Sequence, residues 1–206
     1  TETNGAVTFL SPEDHDPSKN KLRSCGKPGY GAEIKIEDEN GNELAVGEVG
    51  EIIIKSDNNM KGYWNNPEAT EESVVDGWFY SGDAGYFDEE GFLYIHDRVK
   101  DMIVSGGENI YPAEVENALM SHDDILDAAV VGIPDDRWGE AVKGFVVLKE
   151  GHAPSVALAE ELALFVKART LPHKYPRRIE FVPALPRTTT GKLQRYKLRI
   201  EEEARM

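Results

Sequence analysis

The hydrophobic pattern of this chain changes near its middle, and this change limits the folds that the chain can adopt. In the first half, residues 31–55 alternate between apolar and polar side chains, and a turn-rich stretch separates Ile34 and Ile36 from Ile52 and Ile54. Alternation with a period of two residues is typical of a strand with one buried face. Two such strands joined by turn residues predict an antiparallel pair.

A second antiparallel pair is predicted further along the first half. The apolar runs Tyr86–Phe87 and Phe92–Ile95 flank Asp88–Gly91, a polar connection that ends in glycine. Such a connection is typical of a β-hairpin. The first half is therefore expected to form a small all-β unit.

Helix signals appear only in the second half. Pro112 is well placed for the first turn of a helix, and Val115 and Leu119 follow it at a spacing of four residues. Ser155 is a good N-cap for a second helix. The apolar residues that would share a face of that helix are Leu158, Leu162 and Phe165.

Strand signals return between and after these helices. Residues 128–132, 144–148 and 179–182 are short apolar runs of strand type. The fold class is therefore predicted to be α+β, with a β-rich unit over residues 1–98 and a small α+β unit over residues 99–206. The boundary is placed where mixed charges interrupt two apolar strands.

Composition is that of a globular protein. Hydrophobic residues make up 40% of the chain and charged residues 30%. No run approaches the roughly 20 apolar residues of a membrane helix, and no basic-then-apolar signal segment opens the chain. The single cysteine, Cys25, excludes an internal disulfide and suits a reducing compartment. A cytoplasmic protein is expected, and because Thr1–Asn4 resembles the inside of a loop, so is a fragment of a longer protein.

Charge is distributed unevenly along the chain. The net charge is −15, yet residues 166–206 carry 11 Lys and Arg against 4 Asp and Glu. The basic tail is where an anion would bind, unless it is only a solvated basic face. No aromatic-interleaved basic stripe, zinc spacing or recognition-helix pattern accompanies this charge, so a nucleic acid partner is not expected.

General catalytic motifs are not matched. Gly191-Lys192 would end a phosphate-binding loop only if glycine stood at 186 and Ser or Thr at 193, but Pro186 and Leu193 occupy those positions. A dinucleotide fingerprint and a nucleophile elbow are also missing. The histidines do not cluster in the sequence, at His15, His96, His122, His152 and His173.

Four dense motif blocks remain, and they stand in a specific order: Trp78–Asp83, Asp97–Asp101, Ser105–Pro112 and Pro186–Arg195. Together they resemble the adenylate-forming enzymes, most closely the AMP-forming acyl-CoA synthetases. The resemblance implies that a carboxylate attacks the α-phosphorus of ATP to give an acyl-adenylate and pyrophosphate. It further implies that a small mobile C-terminal domain then rotates so that the thiol of coenzyme A takes the acyl group.

The resemblance assigns three residues to the nucleotide and the hinge. Asp83 matches the aspartate that accepts hydrogen bonds from both ribose hydroxyls, a task that suits an acceptor-only carboxylate. Arg98 matches the arginine that holds the same region, and Lys100 occupies the hinge position. Without the motif, these residues would read as a turn aspartate, one half of a surface salt bridge and a linker lysine.

The resemblance also assigns residues to the later thioester step. Gly106 and Gly107 match glycines that line the channel for the pantetheine arm, where a missing Cβ permits close approach. Trp138 belongs to a loop that faces coenzyme A in the family. The alternatives are a tight turn for the two glycines and simple packing for the tryptophan.

Lys192 is the predicted catalytic residue. It matches the family lysine whose ammonium bridges the substrate carboxylate and the α-phosphate, and so offsets the repulsion between two anions. Thr188–Gly191 is expected to form a mobile lead that inserts and withdraws. The alternative is a solvated lysine in a basic tail.

Thr1 and Glu2 resemble the end of a Tyr-Gly-x-Thr-Glu block. In the family its threonine contacts the α-phosphate and its glutamate binds Mg²⁺. The phosphate loop and the acyl pocket would precede Thr1, so the fragment itself is not expected to turn over. The partners implied are ATP, coenzyme A and a small carboxylic acid, and Ser105–Pro112 favours fatty or aryl acids as a class.

Two alternative functions stay open from sequence. One is an adenylation module that loads a carrier protein, which shares the first half-reaction but uses a protein-bound thiol. The other is a binding module without catalysis. The identity of the acid and the oligomeric state are left undetermined.

Overall fold

The computed structural model describes residues 1–205. It divides the chain into two compact units, Thr1–Lys100 and a second that begins at Asp101. Each unit has its own sheet and its own core, and each is described by itself below.

The first unit is built on a five-stranded antiparallel sheet in the order β3-β4-β6-β5, with β7 also paired to β6 and a separate β1-β2 pair. Its elements are β1 (Thr8–Phe9), β2 (Lys27–Pro28), β3 (Ala32–Glu37), β4 (Gly50–Ser56), α1 (Pro67–Ser73), β5 (Val74–Val75), β6 (Trp78–Phe87) and β7 (Leu93–Arg98).

Strands β3 and β4 confirm the first predicted pair. Ile34 lies opposite Ile54, and Ile36 lies opposite Ile52. These side chains form a core with Phe79 and Leu93, so the period-two alternation marks the face of the sheet that is buried.

Strands β6 and β7 confirm the second predicted hairpin, with Phe87 opposite Leu93. The Asp88 carboxylate accepts hydrogen bonds from the backbone N–H groups of Glu90 and Phe92, at 3.0 and 2.9 Å. Gly91 has a φ of +80°, a conformation that favours glycine. The connection therefore turns as its sequence predicts.

Helix α1 corrects the expectation of an all-β first half. The side chain of Asn66 accepts a hydrogen bond from the backbone N–H of Ala69, and Pro67 occupies the first turn. This N-cap followed by proline is a standard helix start. The helix contains no buried residue, so it has no apolar stripe for a sequence pattern to detect.

The second unit contains another five-stranded sheet, in the order β10-β11-β8-β9, with β12 parallel to β11. Its elements are β8 (Ile103–Ser105), β9 (Glu108–Ile110), α2 (Pro112–Met120), β10 (Ile125–Asp135), β11 (Gly139–Leu148), α3 (Val156–Lys167), β12 (Arg178–Phe181) and α4 (Arg195–Glu203). The predicted helices and strands of this half are confirmed, including the Ser155 cap of α3.

The second sheet is buried on both faces. Along β10, Val130 packs with α2 and α3, whereas Ala129 and Val131 pack with Leu198 of α4. Because both faces are covered, β10 reads as a continuous apolar run and not as an alternation. Helix α4 was not predicted, since Leu198 is the one apolar residue that it buries.

Candidate functional site

Strands β6 and β7 form part of a cleft of about 650 Å³ in the first unit. Five residues predicted from the sequence line it, and they come from both ends of the unit. These residues are Thr1, Glu2, Asp83, Arg98 and Lys100. The fold of the first unit thus gathers side chains that lie nearly 100 positions apart in the chain.

Asp83 and Arg98 lie opposite each other on β6 and β7. Arg98 Nη1 donates to Asp83 Oδ1 at 2.6 Å, and both side chains are at least one third exposed. Among the described residues, Asp83 Oδ2 receives no hydrogen bond from protein. The carboxylate is therefore held in place through one oxygen and open to a donor through the other.

An irregular stretch of β6 directs Asp83 into the cleft. Gly82 has a φ of +69°, and its backbone N–H donates to Glu51 Oε1 at 2.8 Å. Ser81 Oγ donates to the carbonyl of Ile52 at 2.6 Å and accepts the backbone N–H of Asp83 at 3.1 Å. The strand register shifts on both sides of this stretch. Such bulges re-aim side chains at the edges of sites.

Glu2 lies at another wall of the cleft. Its Oε1 accepts a hydrogen bond from the Tyr63 hydroxyl at 3.3 Å, and the backbone N–H of Met60 donates to the Glu2 carbonyl at 2.7 Å. A hydrogen bond from its own backbone amide, with a smaller contribution from Tyr63, lowers the pKa of Glu2. The side chain is thus held as a carboxylate.

Mg²⁺ is the metal that the resemblance implies, and the donor chemistry at Glu2 fits it. Within residues 1–205 the structure contains no group of three or more His, Cys, Asp and Glu that could hold a metal by itself. Mg²⁺ does not require such a group, because it keeps several waters and uses one or two carboxylates together with substrate phosphates. A single carboxylate in a cleft is sufficient for that kind of site.

Lys192 lies in a closed loop of the second unit, next to the bridge between Arg187 and Leu193 at the base of the loop. The backbone N–H of Thr188 donates to the carbonyl of Lys192 at 2.8 Å, and Thr188 Oγ1 accepts the backbone N–H of Lys192 at 3.0 Å. The Lys192 side chain is exposed, and it forms no ion pair with any described residue. The loop therefore presents an unneutralised ammonium on an ordered backbone.

We call this loop the lysine loop (residues 187–194). An arginine fixes each of its two stems. On the first stem, Arg187 Nη2 donates to both oxygens of Asp127, at 3.0 and 2.7 Å, and its Nη1 donates to the Gly191 carbonyl at 2.8 Å. On the second stem, Arg195 forms a bidentate pair with Glu116 at 2.9 and 2.6 Å. Bidentate pairs of this kind fix geometry as well as charge.

Gly106 and Trp138 lie together in the second unit. The backbone N–H of Gly106 donates to the Trp138 carbonyl at 2.8 Å, and a Cβ on Gly106 would stand 2.8 Å from the indole ring. The guanidinium carbons of Arg137 and Arg177 lie 4.6 and 4.4 Å from the centroid of the same ring. Gly107 has a φ of +84° and faces open space.

Sequence reasoning assigned no site role to four charged residues at or beside these sites: Glu51, Asp101, Glu116 and Asp127. Glu116 carried a usable signal, since it is a carboxylate on a helix between the core residues Val115 and Leu119 and is only 6% exposed. A buried carboxylate needs a cationic partner, and its position predicts that one exists elsewhere in the chain. The partner, Arg195, is 79 positions away.

Comparison with known proteins places this arrangement in a family. Residues 1–64 match the model of the AMP-binding enzymes, and residues 114–192 match the model of the AMP-binding enzyme C-terminal domain. The chain belongs to the AMP-binding enzyme family. The adenylate-forming enzyme resemblance that the motif blocks carried is thereby confirmed.

Two of its relatives are named as acid ligases. The chain is 46% identical over 199 residues to a 2-succinylbenzoate–CoA ligase of Geobacillus kaustophilus, covering 97% of the chain and 39% of that protein. It is 43% identical over 199 residues to a fatty acid–[acyl-carrier-protein] ligase of Streptomyces coeruleorubidus, covering 97% of the chain and 38% of that protein. The chain thus spans about two fifths of the length of these relatives.

A solved structure agrees with both comparisons. The o-succinylbenzoate CoA synthetase of Bacillus subtilis, in complex with its acyl-adenylate intermediate, matches 96% of this chain and 39% of that chain with a TM-score of 0.84 and 44% identity. The α+β fold predicted for an AMP-binding enzyme is therefore confirmed. Over residues 1–205, no helix has the length and apolarity needed to span a membrane.

Proposed function

We propose that the whole protein is an AMP-forming acid–thiol ligase, which activates a carboxylic acid with ATP and transfers the acyl group to coenzyme A. The observation that carries this proposal is the cleft that gathers Glu2, Asp83 and Arg98 in a chain whose relatives are named as acid ligases. Residues 1–98 are assigned to the β-rich end of the large adenylating body. Residues 99–206 are assigned to its mobile C-terminal domain, with Lys100 as the hinge.

The cleft is assigned to the nucleotide. The carboxylate of Asp83 would accept both ribose hydroxyls, because it has two acceptor oxygens and only one of them is bonded to Arg98. Arg98 would orient that carboxylate and offset phosphate charge nearby. The Thr1 hydroxyl would donate to the α-phosphate.

Glu2 is assigned to Mg²⁺ through its ionised carboxylate. When bound, the ion would draw charge from the phosphate oxygens of ATP. The residue's own contribution is orientation, since its bond from Tyr63 fixes one carboxylate oxygen. The hydrogen bond between Met60 and the Glu2 backbone keeps that ligand on the cleft wall.

Lys192 is assigned to the first half-reaction. A carboxylate oxygen of the acid forms a bond to the α-phosphorus, the bond from that phosphorus to the bridging oxygen breaks, and pyrophosphate leaves with the electron pair. The ammonium would stabilise the charge that accumulates as the two anions meet. Because Lys192 has no ion-pair partner among the described residues, its charge is available for that role.

The second half-reaction is assigned to the region of Gly106, Gly107 and Trp138. The sulfur of coenzyme A forms a bond to the acyl carbon, AMP leaves, and the thiol proton passes to solvent. Glycine at 106 leaves the space beside the indole that a side chain would fill, and glycine at 107 leaves open space. This is the room that a narrow pantetheine arm requires.

A carrier protein is the second candidate for the acyl acceptor. The 43% identity to a fatty acid–[acyl-carrier-protein] ligase favours it, since that relative differs in the thiol and not in the carboxylate chemistry. Either acceptor requires a supply of ATP and a reduced thiol. We accordingly assign the protein to the cytoplasm, which also suits its single unpaired cysteine, Cys25.

The test is carboxylate-dependent exchange of pyrophosphate into ATP by the full-length protein, over a panel of aliphatic and aromatic acids. We expect exchange with a subset of acids, and we expect Lys192→Ala to lower its rate about 100- to 1,000-fold, the usual loss for one transition-state charge contact. Thioester formation from preformed acyl-adenylate should be retained in this variant. Lys197→Ala, an exposed lysine on α4, is the matched control and should exchange at the wild-type rate.

The acceptor is decided in the same assay by offering coenzyme A or a phosphopantetheine-loaded carrier protein. Preferred acylation of the carrier would replace coenzyme A as the acceptor and leave the adenylation proposal intact. An absence of exchange with every acid in the wild-type protein would contradict the proposal and favour a binding module without catalysis.

A further inference from the structure

Asp101 is the first residue of the second unit and directly follows the proposed hinge residue, Lys100. Its side chain is only 13% exposed and is held by two arginines of α4. Asp101 Oδ2 accepts from Arg195 Nη1 at 3.1 Å, and Asp101 Oδ1 accepts from Arg199 Nη2 at 2.7 Å. Asp101, the residue after the proposed hinge, is therefore bonded to α4, the helix that follows the lysine loop.

The guanidinium of Arg195 also donates hydrogen bonds to Glu116 on α2. The pair is bidentate, at 2.9 and 2.6 Å, and Glu116 Oε1 also accepts the backbone N–H of Val130 on β10 at 2.9 Å. Arg195 is thus fixed to the start of the unit, to α2 and to the central hairpin of its sheet. We call this set of Asp101, Glu116, Arg195 and Arg199 the hinge network.

The hinge network lies next to the lysine loop in the chain. Arg195 is three positions after Lys192, and the intervening Gln194 donates its backbone N–H to the Pro186 carbonyl at 2.9 Å. Leu193 packs against the core that contains Leu198. Only two residues, Leu193 and Gln194, separate Lys192 from the network.

Stability alone does not account for an ionic cluster at this place. Buried ion pairs seldom stabilise a fold more than well-packed apolar side chains would, because removing two charges from water is costly. What a fully paired guanidinium adds is a defined direction, since its fork of donors matches carboxylates in one geometry. The hinge network is suited to fixing the second stem of the loop in one orientation.

We propose that Asp101 and Arg195 are positioning residues that fix the second stem of the lysine loop, so that Lys192 is held in one orientation for the adenylation step. The proposal rests on the proposed function, which assigns Lys192 and the hinge. It replaces the expected mobile lead of Thr188–Gly191 with a loop whose backbone is internally bonded. A displacement of about 1 Å at a reacting group can lower a rate about 100-fold, so a loose second stem would affect the adenylation step.

The other end of α4 offers a matched control. Glu202 pairs with Lys143 at 2.6 Å, and Lys143 also pairs with Glu180 at 2.7 Å. Glu202 and Asp101 have similar exposure, 10% and 13%, and both bond α4 to the sheet side of the unit. They differ in the end of α4 that they hold, because Asp101 pairs with Arg195 beside the lysine loop and Glu202 lies at the far end of the helix. A general loss of stability therefore affects both variants, and a loss of loop position affects one.

The experiment compares Asp101→Asn and Glu202→Gln in the full-length protein. We expect Asp101→Asn to lower the turnover of carboxylate-dependent exchange about 10- to 100-fold with little change in the KM for ATP. Its thioester formation from preformed acyl-adenylate should stay near the wild-type rate. Glu202→Gln should show wild-type exchange. Hydrogen exchange of the backbone amides at 188 and 191 should accelerate in Asp101→Asn and not in Glu202→Gln.

Three results would overturn the proposal: wild-type exchange turnover in Asp101→Asn, equal losses in Asp101→Asn and Glu202→Gln, or equal losses in both half-reactions of Asp101→Asn. If Asp101→Asn does not fold, Arg199→Gln serves in its place, since it removes one of the two bonds to Asp101 and leaves Arg195 paired. A wild-type protein without exchange, or Lys192→Ala with normal exchange, contradicts the proposed function instead, so the two failures are distinguishable.

Discussion

The cleft of the first unit and the lysine loop of the second hold their charged side chains by different means. Asp83 and Arg98 lie opposite each other on paired strands, so the backbone ladder sets their positions. Lys192 lies in a loop, next to the base, and ion pairs made by Arg187 and Arg195 fix the two stems. One site is positioned mainly by backbone, the other mainly by side chains.

This difference predicts how each site responds to the loss of a side chain. A strand position survives the loss of one side chain, because the ladder hydrogen bonds remain. The second stem of the loop does not, because Arg195 and Glu116 form a buried pair and removing one partner leaves an uncompensated charge. Substitutions in the cleft should therefore act locally on ligand binding, and substitutions around the loop should act on the fold of the second unit.

The largest expected effect is on the buried carboxylate of the hinge network. Glu116→Ala removes the bidentate partner of Arg195 and the acceptor for the Val130 N–H. We expect a loss of about 3–5 kcal/mol in the free energy of unfolding of the second unit, as is typical when one partner of a buried pair is removed. Urea unfolding measures it. Asn117→Ala, on the exposed face of α2, is the control, and equal stability of the two variants would refute the distinction between the sites.

The cleft should respond to Asp83→Ala through binding and not through folding. The variant removes the proposed acceptor of the ribose hydroxyls, and hydrogen bonds to a charged group contribute about 1.5–3 kcal/mol. We expect a higher KM for ATP with a smaller change in turnover, and an unchanged urea midpoint. Asp57→Asn, an exposed carboxylate of the same unit, should leave both unchanged. A loss confined to turnover would show that Asp83 does not bind the ground-state nucleotide.

Gly106 and Gly107 form a matched pair for the thioester step. Both have positive φ, so alanine at either position costs about 1–2 kcal/mol of backbone strain. Only at 106 does the new Cβ approach the Trp138 ring, at 2.8 Å. Gly106→Ala should therefore slow thioester formation from preformed acyl-adenylate more than Gly107→Ala does, while pyrophosphate exchange stays similar in the two. Equal thioester rates in the two variants would show that the Trp138 ring does not border the channel for the acyl acceptor.

The smallest expected effect is at the turn between β6 and β7. Burial opposes ionisation of Asp88, but the Lys21 ammonium at 2.7 Å and the backbone N–H groups of Phe92 and Glu90 outweigh it and hold the pKa of Asp88 below 3.8. A lowered carboxyl pKa contributes stability above the unfolded value, and this contribution is lost as pH falls through the folded value. Because the pair is partly solvated, we expect at most about 1 kcal/mol.

The measurement for Asp88 is the difference in unfolding free energy between wild type and Asp88→Asn. It should be present at about pH 7 and shrink below about pH 4, where the wild-type carboxyl becomes protonated. Glu89→Gln on the same turn is the control and should show no such difference. A difference that grows on acidification has the wrong sign and would exclude the ionised Asp88 as its source.

The sequence predicted those parts of the fold that depend on near neighbours in the chain. The alternation around Ile34 and Ile54 identified a hairpin because one buried face imposes a period of two residues. The Ser155 cap and the apolar stripe of α3 identified a helix for the same local reason. Helix α4 was not predicted because Leu198 is the one apolar residue that it buries.

The candidate site was predicted only in part, for a related reason. The motif blocks named Asp83, Arg98 and Lys192, whose roles stay predictions, but no local pattern indicates how they are held. The bulge that directs Asp83 arises from the register between β4, β6 and β7. Arg195 meets Asp101 across 94 positions of sequence. Such pairings depend on tertiary structure and cannot be inferred from spacing along the chain.

The bonds from Asp101 to Arg195 and Arg199 also define where this chain can be recombined with a relative. A chimaera joined before Asp101 transfers the aspartate and both arginines from one parent, so their geometry is preserved. A junction placed a few residues later takes Asp101 from one parent and the two arginines from the other. Hydrogen bonds of 3.1 Å or less would then have to form between side chains from different proteins. We therefore expect that domains can be exchanged at the peptide bond between Lys100 and Asp101.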